Sequence, residues 1–221
     1  MHSNAEPEIQ RKIKKQIIMK KDIILAGVGG QGILSIAAAI GLAAVESGLY
    51  LKQAEVHGMS QRGGDVQSHL RLSDKEIFSD LIPRGRADMI ISVEPMESLR
   101  YLPMLSEDGW LITNTKPFIN ISNYPSLESI ISEIESLPQK IYLDADEIAV
   151  RLKSPKSANM VVLGAASPYL DIDFEKLEYA IKLLFGRKGE EVVNANINSL
   201  KAGREYADKQ ISKAKEQTTD V

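Results

Sequence analysis

Cysteine is missing from all 221 residues of the chain. That absence excludes disulfides, thiolate catalysis and any iron–sulfur cluster held by the usual thiolate ligands. Histidine is nearly as scarce: His2, His57 and His69 are the only three, too few to expect a dedicated metal site. No apolar run approaches the roughly 20 residues needed to cross a bilayer, so no membrane span is expected. A net charge of −3 offers no basic surplus for nucleic acid or an anionic membrane. The amino-terminal stretch also lacks an apolar segment followed by a small-residue cleavage site, and a cytoplasmic protein is expected. What is left has the composition of a soluble globular protein, 43% hydrophobic and 26% charged, with length for one domain and a sizeable core. If such a chain takes part in electron transfer, the carriers sit on another chain.

Residues 1–21 read as a basic arm, disordered or helical. Ile9, Ile13 and Ile17 recur there at helical spacing among Arg11, Lys12, Lys14 and Lys15. From residue 22 to 221 strand and helix signals alternate. Residues 23–26 are an apolar strand, 33–47 a helix rich in alanine that Gly48 closes, and 49–56 a second strand. Val66, Ser68, Leu70 and Leu72 alternate with Gln67, His69 and Arg71, which predicts a strand with one wet face in an antiparallel position. Residues 87–93, 109–113 and 141–143 read as buried strands. Helices are expected after Glu94-Pro95, over 126–137, after Asp144 with Glu147 as its capping-box partner, over 159–166, from Asp173, and over 190–215. The repeated strand-then-helix unit predicts a single Rossmann-like α/β domain. Its sheet is mostly parallel, with helices on both faces and a helical C-terminal third.

The first strand runs into Gly27-Val-Gly29-Gly30-Gln31-Gly32, whose Gly27, Gly29 and Gly32 match the spacing of a phosphate-binding turn. Glycine lets backbone approach a phosphate closely, and the following helix offers free N–H groups and a favourable dipole. Glu55, ending the second strand, stands about where an acid grips an adenine ribose, so an NAD- or FAD-linked oxidoreductase is one reading. Against it, the chain offers no obvious hydride-transfer apparatus. Tight packing of strand on helix is the plain alternative; it accounts best for Gly32 and leaves Gln31 without a role. A second loop, from His57 through Ser60, Gln61, Arg62 and Gly63 to Gly64, follows the second strand. Arg62 beside two glycines suits a carboxylate or phosphate, and loops at carboxyl ends of parallel strands are where open α/β sheets bind ligands. The two loops together point to a joint site, facing either a small molecule or a partner subunit. Glu94 and Asp88 flank a strand end, where carboxylates more often cap than catalyse. Asn159 and Ser167 carry no base within readable distance. No Gly-Asp-Gly stretch with a later asparagine marks a thiamine diphosphate site.

The glycine turn, then Glu55-Val-His57-Gly-Met-Ser60-Gln61-Arg62-Gly63-Gly64, then Ser68-x-x-Arg71, resembles the gamma-type component of 2-oxoacid:ferredoxin oxidoreductases. Within that family the second loop resembles most closely the beta subunit of the indolepyruvate type. Gly85-x-Ala87-Asp88, Glu94-Pro95, Asn114-Thr115 and Asn159-x-x-x-Leu163-Gly-Ala165 extend the likeness to residues 22–207. The resemblance implies oxidative decarboxylation of a 2-oxoacid, here an aryl pyruvate, to an acyl-coenzyme A, with electrons passing to ferredoxin. It implies thiamine diphosphate and Fe–S clusters on a large alpha subunit, and no turnover by this chain alone. Coenzyme A is then the candidate ligand of Gly27, Gly29, Gly30, Gln31 and Gly32. Glu55 and the loop from His57 to Gly64 would face substrate or the partner. Beside this stand two alternatives: a free-standing NAD- or FAD-binding protein, and a purely structural subunit of the same complex.

Overall fold

The computed structural model describes residues 19–57 and 64–219. Six strands, β1 (Lys20–Val28), β2 (Tyr50–His57), β3 (Asp65–Ser73), β4 (Ala87–Ser92), β5 (Leu105–Asn114) and β6 (Lys140–Leu143), form one sheet in the order β2-β3-β1-β4-β5-β6. β1 starts two residues ahead of the boundary expected at residue 22. Seven helices complete the described chain: α1 (Ile33–Glu46), α2 (Pro95–Arg100), α3 (Leu127–Ser136), α4 (Ala145–Arg151), α5 (Ala158–Ala166), α6 (Phe174–Phe185) and α7 (Glu190–Thr219). Among the described residues no helix is long and apolar enough to cross a membrane.

β1, β4, β5 and β6 pair in parallel, while β3 pairs antiparallel with both β1 and β2. β2 therefore runs with β1, and β3 alone is reversed, as its alternating sequence predicts. The connections step outward from the centre in opposite directions, α1 toward the β2 edge and α2 and α3 toward β6. Right-handed crossovers then place the helices on opposite faces. One core joins Ile23, Leu25, Met89 and Ile91 to Ile40 of α1, Val161 of α5, Leu177 of α6 and Leu200 of α7. The other joins Ile24, Ile90 and Leu111 to Ile130 and Ile134 of α3. Successive β1 residues thus serve different cores, which is why residues 22–28 are buried without a break.

Local signals are used largely as expected. Gly48 (φ 73°) closes α1 with a pair of bonds, from its own N–H to the Val45 carbonyl (2.9 Å) and from the Leu49 N–H to the Ala44 carbonyl (3.0 Å). Asp144 caps α4 by accepting from the Glu147 N–H at 2.7 Å, but the Glu147 carboxylate turns to Arg151, 3.6 Å away, rather than closing the box. α5 is buried from Met160 to Ala166 and crosses α7 at Gly164 and Gly203.

The expected wet face of β3 is covered. Residues 74–86 fold over it: His69 Nδ1 accepts from the Ile82 N–H (3.0 Å), and Arg71 donates to the carbonyls of Ser79 (3.0 Å) and Leu81 (3.1 Å). Arg71 also grips the fully buried Asp22 through two bonds, at 2.8 and 3.1 Å. Asp88 accepts from the Asp22 N–H at 2.7 Å. Arg71 and Asp88 thus lock the amino-terminal end of the sheet, opposite the end where ligands bind in such folds.

Candidate functional site

The direction of strand addition changes between β1 and β4, and the glycine turn sits at the carboxyl end of β1 beside that switch. A Cβ on Gly27 would lie 2.4 Å from Val93 Cγ2, so this glycine lets the end of β4 close on the turn. Gly32 is the left-handed residue (φ 83°) that starts α1; no side chain caps the helix and no acid occupies its first turn. Gly30 (φ 100°) has open space where a Cβ would be. Gln31 folds back so that its Oε1 accepts the Val28 N–H at 2.8 Å, while its own N–H donates to the Val28 carbonyl at 3.1 Å. The residue for which a packing turn offered no role is therefore the clamp that holds the turn closed.

A groove opens over this turn. Its inner part, about 350 Å³, is lined by Gly30, Gln31, Asn114, Asp146, Lys156 and Asn159. Its outer part, about 700 Å³, continues past Gly32, Ser35, Lys153 and Lys188 to Glu191 and Asn196 of α7. Asn114 builds the inner wall: its amide donates to Asp146 Oδ2 (2.7 Å) and to the Val93 carbonyl (3.2 Å), and its Oδ1 accepts from the Ala145 N–H (3.0 Å). One side chain thus joins the ends of β4 and β5 to the start of α4. Asn159 comes from 127 residues away in sequence to donate to the Gly32 carbonyl at 3.0 Å. Its Oδ1 meanwhile accepts from the Met160 N–H.

Glu94, a candidate acid by position, is fully buried and spent on structure. It caps α2 through the Glu97 N–H (2.8 Å) and pins residues 115–126 by accepting from the Phe118 N–H (3.1 Å) and the Tyr124 hydroxyl. Burial, and then this carboxylate, push the Tyr124 phenol well above its ordinary range. Among the described residues no group of three or more metal-binding side chains converges.

Residues 22–206 match the family model described as pyruvate ferredoxin/flavodoxin oxidoreductase. The chain belongs to that family. It is similar to the indolepyruvate oxidoreductase subunit IorB of Archaeoglobus fulgidus, 38% identical over 198 residues that cover 86% of this chain and 96% of that protein. The subunit IorB of Pyrococcus horikoshii is 36% identical over 181 residues, 77% of this chain and 89% of that protein. Pyruvate oxidoreductase subunit PORC of Thermotoga maritima shares the fold at a TM-score of 0.65 and 24% identity, covering 84% of this chain and 96% of that one. A 2-oxoglutarate:ferredoxin oxidoreductase from Magnetococcus marinus, solved with 2-oxoglutarate, coenzyme A and succinyl-CoA bound, superposes at a TM-score of 0.69 and 22% identity. The superposition covers 86% of this chain and 31% of that one. The protein is thus a subunit of an oxidoreductase of the 2-oxoacid:ferredoxin type, with the single α/β domain expected of it.

In this oxidoreductase subunit the sequence-predicted residues divide into three groups. Gly27, Gly29, Gly30, Gln31 and Gly32 form the turn, and the second loop touches it: the Gly29 N–H donates to the Gly64 carbonyl at 2.9 Å. Glu55 is not brought there. It pairs with Ser68 on β3, which lies between β2 and β1, so Glu55 stands two strand spacings (about 9–10 Å) from β1 at the level of Leu25. That placement speaks against a ribose-gripping acid. His57 ends β2 opposite Val66, and Ser60, Gln61, Arg62 and Gly63 lie outside the described residues, as does most of the basic arm. The groove residues Asn114, Asp146, Lys153, Lys156, Asn159 and Lys188 were not singled out as ligands. Asn114 and Asn159, both in segments that carry the family likeness, were the two with a readable signal.

Proposed function

We propose that this chain is the beta subunit of an indolepyruvate-type, aryl 2-oxoacid:ferredoxin oxidoreductase and that its glycine turn holds the pyrophosphate of coenzyme A. The observation that carries the reading is an uncapped α1 N-terminus opening, through Gly30, into a groove whose two parts, about 350 and 700 Å³, are of ligand-binding size. Support for the substrate class comes from the IorB proteins, and support for the ligand from the coenzyme A of a fold neighbour. Thiamine diphosphate and Fe–S clusters do not fit this chain, which has no cysteine and no thiamine motif. Both belong on a large alpha subunit, which carries the decarboxylation and passes electrons to ferredoxin in the cytoplasm.

The chain's own part is to bind and aim coenzyme A. Backbone N–H groups of the turn and of α1 face the pyrophosphate, while Asn159 and Gln31 hold those groups in place. Residues 22–221 act as one gamma-type domain. Glu55, His57, Ser60, Gln61, Arg62, Gly63 and Gly64 shape the rim toward the partner, and residues 1–21 are an appendage. Titration of the assembled enzyme with coenzyme A and with NAD tests the reading. Saturable coenzyme A binding supports it; tight NAD binding with none of coenzyme A overturns it. A purely structural role draws on Gly27, which makes room for Val93, and on Gln31, whose bond to the Val28 N–H is internal to the turn. On that reading Gly30→Val impairs assembly and leaves coenzyme A affinity unchanged.

A further inference from the structure

The outer groove carries a charge pattern that the glycine turn does not need. Lys153 and Lys156 come from the link between α4 and α5, and Lys188 from the tight turn between α6 and α7. Among the described residues none of the three forms an ion pair, and Glu191 is the one carboxylate lining that part of the groove. The inner part has no such surplus: beside Lys156 it holds the Asp146 carboxylate and the amides of Gln31, Asn114 and Asn159. Lys153 also departs from backbone preference. It is the residue after the α4 cap, at φ 57°, held by bonds from its N–H to Val150 O (2.9 Å) and from Ser154 N–H to Ala149 O (2.8 Å). Glycine is the unstrained choice at such a position, so a lysine there is retained at a cost to the fold.

Resting on the coenzyme A reading above, we propose that Lys153 and Lys188, with Lys156 at the junction of the two cavities, read the 3′-phosphate of coenzyme A. This fixes the ligand's direction. The phosphorylated nucleotide lies outward toward α7, where cations gather. The pyrophosphate crosses the glycine turn, and the uncharged pantetheine arm runs inward past Asn114 and Asp146, whose carboxylate repels phosphate. Lysine–phosphate contacts at an exposed site are charge-assisted but screened, and together correspond to about a tenfold preference for coenzyme A over its 3′-dephospho form.

The test is calorimetric titration of the assembled two-subunit enzyme with coenzyme A and with dephospho-coenzyme A. Wild type binds coenzyme A about tenfold more tightly, and K153Q/K156Q/K188Q binds the two ligands equally. K153G separates function from folding: its melting temperature rises by about 2–4 °C as strain is relieved, while its discrimination falls. Discrimination absent from wild type, or surviving in K153Q/K156Q/K188Q while coenzyme A still binds, overturns the lysine assignment and leaves the glycine-turn reading standing. Absence of coenzyme A binding by wild type overturns both.

Discussion

Replacing Gly164 or Gly203 by alanine sets two effects of opposite sign against each other. In a solvent-facing helix, glycine to alanine gains about 0.8–1.0 kcal/mol through backbone propensity. Here a Cβ on Gly164 would sit 2.0 Å from the Leu200 carbonyl oxygen, and one on Gly203 would sit 1.9 Å from the Val161 carbonyl oxygen. Both obstacles are backbone atoms, which cannot rotate aside as a side chain can. Reaching even 3.0 Å requires α5 and α7 to part by about 1 Å, enough to forfeit a quarter to a half of the dispersion attraction across the seam. Overpacking of this kind costs about 1–3 kcal/mol, and α5, buried from Met160 to Ala166, has no open side to yield toward. The upper end applies, and after the propensity gain the net loss is about 2 kcal/mol, a fall of about 4–8 °C in melting temperature. Gly186→Ala is the internal control. It has helical dihedrals (φ −54°, ψ −38°) and open space around its Cβ position, so it gains about 0.4–1 kcal/mol. Urea unfolding followed by circular dichroism measures all three variants on one scale. If Gly164→Ala and Gly203→Ala gain stability as Gly186→Ala does, the backbone contact between α5 and α7 is not what sets their packing.

Arg71→Met leaves Asp22 buried with, among the described residues, only the half-exposed Lys20, 2.7 Å away, as its counter-charge, and costs about 3 kcal/mol in chemical denaturation. A loss below about 1 kcal/mol would show that Lys20 alone suffices. For His69, burial and then the Arg71 guanidinium lower the pKa below 6.5, with Asp22 acting the other way. The unfolded chain therefore takes up the proton more readily, and stability falls as pH drops below 6.5. His69→Gln should flatten the urea midpoint between about pH 5 and pH 7, and an unchanged slope would refute the assignment. Asn159→Ala removes the tether to the Gly32 carbonyl. It is expected to cost about 1 kcal/mol of stability and to weaken coenzyme A binding by the assembled enzyme about tenfold, measured by calorimetry.

Strands and helices were readable where a single face or a single cap decides them. The unbroken apolar run of β1 announced a strand covered on both sides, and Gly48 ended α1 where a left-handed residue was needed. The alternation in β3 forecast its antiparallel pairing but not the cover over its second face. That cover depends on residues 74–86 finding His69 and Arg71, which no periodicity records. Gln31 was opaque for a related reason: a side chain that caps its own turn looks, in sequence, like one reaching for a ligand.

The sequence by itself determined an α/β chain without thiol chemistry, a glycine turn between an apolar strand and a small-residue helix, and a family likeness carried by two loops. These are local facts, written in spacing and composition. Tertiary structure alone decided which distant groups share the groove. Asn159 meets Gly32 across 127 residues, and three lysines from two separate links line one outer wall. It also moved Glu55 away from the turn by placing β3 between β1 and β2. Strand order is a balance of long-range pairing and burial, so no window of residues holds it.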